Sequence, residues 1–127
     1  MRRGVSSRAR LAALVFLALF CAGAEVRSEG ALRAFDVTAS KFAFDPSTLE
    51  VDEGDRVVVT LHSADVKHGF ALKPFGVKAV VPRGGQSVRV EFTADKPGTY
   101  AFACSEYCGA RHNSMKGTLL VHPRGGR

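Results

Sequence analysis

Residues Ser87 to Cys104 read SVRVEFTADKPGTYAFAC, and the alternation in this stretch decides the fold class. Val88, Val90 and Phe92 fall on one face and Arg89 and Glu91 on the other, which is the period-two pattern of a strand with one buried and one wet face. Pro97-Gly98 then makes a turn into Thr99 to Cys104, where Tyr100, Phe102 and Cys104 share a face. Upstream the same grammar repeats. Ala34 to Phe44 ends at Asp45-Pro46, Leu49 to Val51 ends at Asp52-Glu53-Gly54-Asp55, and Arg56 to His62, Gly69 to Leu72 and Val77 to Val81 follow. Downstream, Gly117 to His122 closes the series, and no segment between these runs is long enough for a helix. Seven or eight short strands in about 90 residues predict an all-β antiparallel sandwich.

Outside that core the composition changes. Arg2, Arg3, Arg8 and Arg10 precede an apolar run from Leu11 to Cys21, and Ala22-Gly23-Ala24 has the small-residue pattern of a cleavage site. Residues 1–24 therefore read as a signal peptide, since the 14 residues from Leu11 to Ala24 fall short of the roughly 20 needed to span a bilayer. Lipidation at Cys21 is disfavoured because bulky Phe20 precedes it. Residues 25–33 are polar and small and read as a flexible lead-in, 34–123 as the folded domain, and 124–127 as a tail. The leader holds four of the 18 basic residues and none of the 12 acidic ones, so the remainder carries only +2. With no basic stripe interleaved with stacking aromatics, nucleic acid is not an expected partner.

Between Cys104 and Met115 the chain reads CSEYCGARHNSM, which packs two thiols, an imidazole and a thioether into 12 residues. Two cysteines four apart in an exported domain form either a disulfide or a metal site. His112, Met115 and the earlier His68 favour metal. A zinc tetrahedron would use the cysteines and histidines but leave Met115 without a role. Thiolate, imidazole and a weak thioether suit copper, and Cys108, His112, Met115 and His68 alone complete a blue-copper set. Cys104 is then a second thiolate with no job at one ion. Two thiolates can instead bridge a pair of copper ions, each keeping one histidine.

The stretch resembles the CuA domain of cytochrome c oxidase subunit II and of nitrous oxide reductase, whose signature is C-S/T-E-x-C-G/S-x-x-H-x-x-M. Asp65-Val66-Lys67-His68-Gly69-Phe70 is similar to that family's first-histidine motif, and Ala94 to Tyr100 to the turn entering its ligand loop. The resemblance covers roughly Phe35 to Val121. It implies a cupredoxin-like antiparallel Greek-key β-sandwich holding two copper ions as a CuA centre. On that resemblance Cys104 and Cys108 bridge both ions, His68 and His112 bind one each, Met115 is a weak axial ligand and Glu106 offers its backbone carbonyl. In oxidases the side chain matching Glu106 helps to bind magnesium; here it reads as an ordinary loop residue. The family's tryptophan-rich segment near the copper is missing, since the chain has no tryptophan, and Phe42 and Phe44 are the nearest replacements.

The other candidates have plain readings. His62 ends a strand on the face opposite Val57, Val59 and Leu61 and is expected at the surface; His122 is expected to be solvated, and Tyr107 to pack on the loop. The expected function is electron transfer, in a free periplasmic carrier or an oxidase-subunit-II-like module, located in the periplasm or on the outer face of the cytoplasmic membrane. Implied partners are a c-type cytochrome, a terminal reductase or oxidase, and, for assembly, a copper donor and a thiol reductant. Copper storage or delivery is the alternative, and a disulfide-bonded interaction domain is the reading without metal. No catalysis is expected from this chain alone, because no nucleophile-base pair or paired carboxylates stand out.

Overall fold

The computed structural model describes residues 30–125, so the leader and most of the lead-in lie outside the described residues. Among the described residues nine strands form two sheets. They are β1 (Leu32–Ser40), β2 (Ala43–Asp45), β3 (Thr48–Asp52), β4 (Arg56–Ser63), β5 (His68–Leu72), β6 (Val77–Val81), β7 (Val88–Thr93), β8 (Gly98–Ala103) and β9 (Lys116–His122). One sheet has the order β2-β1-β4-β7, the other β3-β9-β8-β5-β6. Only two single-turn 3₁₀ segments, Lys73–Phe75 and His112–Ser114, interrupt the β structure among the described residues.

The alternating residues do what their pattern predicts. Val57, Val59 and Leu61 of β4 are fully buried, whereas Thr60 and His62 are partly exposed. In β7, Arg89 and Glu91 face solvent and Phe92 faces the core. Between the sheets Phe44, Phe70 and Phe102 form an aromatic cluster, with ring centroids 5.0 Å apart for Phe70 and Phe102 and 5.2 Å for Phe44 and Phe102. Burying each such ring contributes roughly 2 to 3 kcal/mol. Phe44 is thus a core residue and not a surface aromatic beside the loop.

Two features differ from the sequence reading. The run expected from Ala34 to Phe44 is broken by a turn at Lys41 and Phe42, so that β1 and β2 pair as a hairpin with Thr38 opposite Asp45. Two ladders are parallel: β1 with β4, from Leu32–Arg56 to Ala39–Ser63, and β3 with β9, from Thr48–Thr118 to Asp52–His122. Parallel neighbours must be joined by crossovers, here from one sheet to the other, and alternation within a strand carries no sign of its neighbour's direction.

The two ends of β4 have different roles. At its start the buried Asp55 accepts hydrogen bonds from the amides of Ala31 (2.9 Å) and Asp52 (2.9 Å) and from the side chains of Arg33 (3.1 Å) and Arg124 (2.7 Å). This clamp ties the beginning of β1, the β3–β4 turn and the chain following β9 together. At its other end β4 enters the Ser63–Lys67 loop. That loop, the β1–β2 turn and the Cys104–Met115 loop converge there.

Candidate metal centre

His68 opens β5, a strand whose five residues are all buried. Its ring is wholly inaccessible to solvent. Nε2 lies 2.6 Å from Asp65 Oδ1, while Nδ1 is buried without a hydrogen-bond partner. Burial pushes the Asp65 carboxyl up, but the Lys41 amide, the His68 ring and the Val66 amide outweigh it and hold the pKa at about 2. An ionised carboxylate only accepts hydrogen bonds, so Nε2 carries the proton and Nδ1 presents its lone pair. No described residue uses that lone pair, and a buried polar atom left unpaired is costly. A metal-ligating histidine oriented through its other nitrogen by a carboxylate has this form.

The sulfurs sit beside it. Cys104 directly follows β8 and Cys108 comes four residues later on the loop; both are buried and neither forms a disulfide. Their Sγ atoms are 3.6 Å apart. One nitrogen of His68 and the two sulfurs all lie within 4.8 Å of one another. His112 Nδ1 is 3.6 Å from Cys108 Sγ, and Met115 Sδ, on a fully buried side chain, is 3.9 Å from the same sulfur. The Glu106 carbonyl oxygen is 3.1 Å from Cys104 Sγ, and its carboxylate pairs at 3.8 Å with Lys67 on the loop's outer side. All six residues singled out in the sequence therefore meet at one place. Burial, reinforced by the adjacent Cys104 thiol, pushes Cys108 up to about 11, so a cation entering here must displace its proton.

The loop is held in shape by its neighbours. The Gly69 amide donates to Cys104 Sγ at 3.4 Å. A Cβ at Gly69 would fall 2.2 Å from Ser105 Oγ and 2.6 Å from the Glu106 amide, so only glycine lets β5 pass this closely beneath the ligands. Gly109, at φ +140°, has Phe42 against it, 2.9 Å from where a Cβ would stand. The amide of Cys104 bonds to the Met115 carbonyl at 3.0 Å and closes the loop at its base. Ala71, Lys73, Val77, Lys78, Ala103 and Ser105 line a cleft of about 330 Å³ that reaches Cys104.

The remaining candidates fall as follows. His62 is half-buried and bonds Thr38 across the sheet at 2.9 Å; His122 is exposed, 3.5 Å from Glu50. Neither approaches the sulfurs. Tyr107 does not pack down on the loop: it is 77% exposed, with its ring 6.0 Å from that of His112. Cys108 and Gly109, which follow it, lie inward against the core and Phe42, while the Tyr107 side chain is turned out. Asp65 was missed, although a carboxylate three residues before a candidate histidine is a legible signal.

Sandwich, loop and donor set together define a cupredoxin. The sequence matches the family described as "Cupredoxin-like domain" over residues 10–121, and the chain belongs to that family. It is homologous to cytochrome c oxidase subunit 2 of Thermus thermophilus, with 36% identity over 85 residues covering 67% of this chain and 62% of that one. Nitrous-oxide reductase of Stutzerimonas stutzeri is 33% identical over 102 residues, which cover 77% of this chain but 16% of the reductase. The chain thus spans less than two thirds of the length of these relatives. The periplasmic domain of subunit II of cytochrome oxidase of Bradyrhizobium japonicum has the same fold, with a TM-score of 0.65 and 24% identity over 72% of this chain and 85% of that one. So does a subunit II of cytochrome c oxidase solved as a mixed disulfide with the thioredoxin-like TlpA, at a TM-score of 0.61 and 23% identity over 79% of this chain and 88% of that one.

Proposed function

We propose that this chain is an exported electron-transfer module built around a dinuclear copper centre of the CuA type. The observation that carries the reading is the pair of free, buried thiols, 3.6 Å apart, on a loop that also brings His112 and Met115 to Cys108. A blue-copper site uses one thiolate, whereas here both sulfurs lie close to one ring nitrogen of His68. The donor chemistry fits copper, because two thiolates, two imidazoles and a thioether are soft and borderline ligands. The unpartnered His68 Nδ1 fits a ligand role as well.

In this reading Cys104, Cys108, His68 and His112 would hold the copper ions, with Met115 and the Glu106 carbonyl as weaker donors. When bound, the copper pair supplies reversible one-electron chemistry. The protein's part is to hold the ligands still and exclude water, so that little reorganises as charge changes. Asp65 fixes the His68 ring, Gly69 donates to the Cys104 sulfur, and the aromatic cluster below keeps the site dry. Residues 34–123 form the copper domain, 1–24 the export leader, 25–33 a lead-in and 124–127 a tail, and the protein works in the periplasm or on the outer face of the cytoplasmic membrane. Its partners are redox proteins such as a c-type cytochrome and a terminal oxidase or reductase, and a copper donor and a thiol reductant load it.

Copper content per chain combined with electron paramagnetic resonance tests the proposal. Two ions and one unpaired electron shared equally by both nuclei are expected. One ion with an ordinary four-line spectrum would leave a blue-copper protein, and copper that passes readily to a chelator without fast electron exchange would favour storage or delivery.

A further inference from the structure

We propose that the surface over the ligand loop, centred on Tyr107 and ringed by Lys41, Lys67 and Arg111, is the docking face for an acidic redox protein. This rests on the electron-transfer reading and adds the chemistry of the partner. Leu32, Val80 and Tyr107 are the large apolar side chains left exposed among the described residues, and Tyr107 is the aromatic one. It adjoins Cys108 in sequence and its ring stands 6.0 Å from that of His112. A solvent-exposed tyrosine beside the ligands is the kind of residue that anchors an interface, since one end is apolar and the other tolerates water.

The charges around it have one prevailing sign. Lys41, Lys67 and Arg111 are all exposed, and each belongs to one of the three segments that converge at this end. The Lys41 amide bonds Asp65 at 2.8 Å, and the same carboxylate holds His68, which places the Lys41 turn beside the ligands. The Arg111 guanidinium lies 6.0 Å over the Phe42 ring, which holds it beside the loop. Val81, the last residue of β6, pairs with His68, so exposed Arg83 just beyond it adds a cation at the same end. Two acids lie among them, Glu106 paired with Lys67 and Asp65 hydrogen-bonded to the Lys41 and Val66 amides and the His68 ring, so the four cations Lys41, Lys67, Arg83 and Arg111 face two carboxylates and the net sign stays positive. Lys41 and Arg111 form no ion pair with a described residue. A partner with carboxylates around its own electron-exchange edge is drawn to such a rim, and one rimmed by lysines is repelled.

Two measurements on the full chain test this. The first needs no copper: the isotope-labelled protein is titrated with hexacyanochromate(III), a redox-inert paramagnetic trianion, and separately with the hexaamminechromium(III) trication, while amide line-broadening is followed by NMR. The anion is expected to broaden Lys41, Lys67, Tyr107 and Arg111 first, and high salt to remove the effect. In the second, the reduced copper-loaded protein is oxidised by ferricyanide. The double variant Lys41→Glu, Arg111→Glu should react about fivefold more slowly at low salt, and the difference should close at high salt. Lys96→Glu with Arg56→Glu makes the same change in net charge at the far end of the sandwich and should change the rate less than about twofold. Broadening centred at that far end, broadening of the Tyr107 face by the trication, or equal slowing by both double variants would overturn the proposal. A chain that gathers the anion here but takes up no copper pair would overturn the electron-carrier reading alone.

Discussion

Asp65 and His68, three residues apart in sequence, meet at 2.6 Å between Oδ1 and Nε2, and the same carboxylate accepts the Lys41 amide at 2.8 Å and the Val66 amide at 2.6 Å. One side chain thus orients the ring, shapes the loop before it and pins the β1–β2 turn. Asp65→Asn keeps the size but loses the charge that holds the proton on Nε2. The variant should fold and bind copper about 10- to 100-fold more weakly, the range seen when such outer partners of metal-bound histidines are removed. Competition with a copper chelator measures this, and unchanged affinity would show that packing alone holds the ring.

In the proposed centre Cys104 and Cys108 would share one role, whereas Met115 reaches the site through one thioether 3.9 Å from Cys108 Sγ. Cys104→Ser and Cys108→Ser should each abolish the shared-electron signal. Met115→Leu replaces one buried apolar side chain by another of similar volume and should cost less than about 1.5 kcal/mol of stability. It should retain two ions and change the reduction potential. Loss of all metal on Met115→Leu would reverse this ranking of the ligands.

The legible parts of the structure were the local ones. Alternation in Arg56–His62 and Ser87–Phe92 gave the buried faces of β4 and β7 directly, and the spacing from Cys104 to Met115 marked a single loop. What sequence left unread depends on partners far along the chain. Residues 34–44 hold no Gly, Pro or Asn to mark a turn, and the turn at Lys41 and Phe42 is set by the hairpin and by the Asp65 bond to the Lys41 amide. The parallel pairing of β3 with β9 joins residues about 70 apart, and no local pattern encodes it. Asp55 read as one more turn acid in Asp52-Glu53-Gly54-Asp55 because its arginine partners lie at positions 33 and 124.

That buried carboxylate gives a stability prediction with a definite sign. Burial alone would raise the Asp55 pKa, but the Asp52 amide, Arg33, the Ala31 amide and Arg124 together hold it below its ordinary 3.8. A depressed carboxyl adds stability above pH 3.8 and gives it up as pH falls through the lower folded-state value. Asp55→Asn leaves two arginines facing a neutral amide and should destabilise the fold by about 3 kcal/mol near neutral pH. The loss should shrink as the solution is acidified below pH 3.8, where the wild type protonates too. Urea unfolding at several pH values reads this out, and a pH-independent difference would mean that the amide replaces the clamp's hydrogen bonds without using its charge.

The last prediction concerns loading, because the two thiols must be reduced to bind copper, while the proposed export would bring them into an oxidising compartment. The Sγ atoms are 3.6 Å apart, and a disulfide needs about 2.05 Å. The sulfurs have to approach by roughly 1.5 Å, a small movement for a segment, Ser105 to Tyr107, with no regular structure. Burial opposes the reaction by keeping Cys108 protonated, with its pKa up at about 11, and attack proceeds through the thiolate. Cys104, which borders the cleft between β5, β6 and β8, is the sulfur a reagent reaches first. Air-exposed apo-protein should therefore lose its two free thiols slowly, refuse copper once oxidised, and recover uptake after a dithiol reductant is added. Copper bound beforehand should protect both sulfurs and raise the unfolding temperature, since the unfolded chain cannot bring His68 to a loop some 36 residues later. Counting thiols over time and titrating copper with and without prior reduction decides the matter: two persistent thiols and equal uptake in both samples would show that the fold itself holds the sulfurs apart, and no reducing partner would be needed.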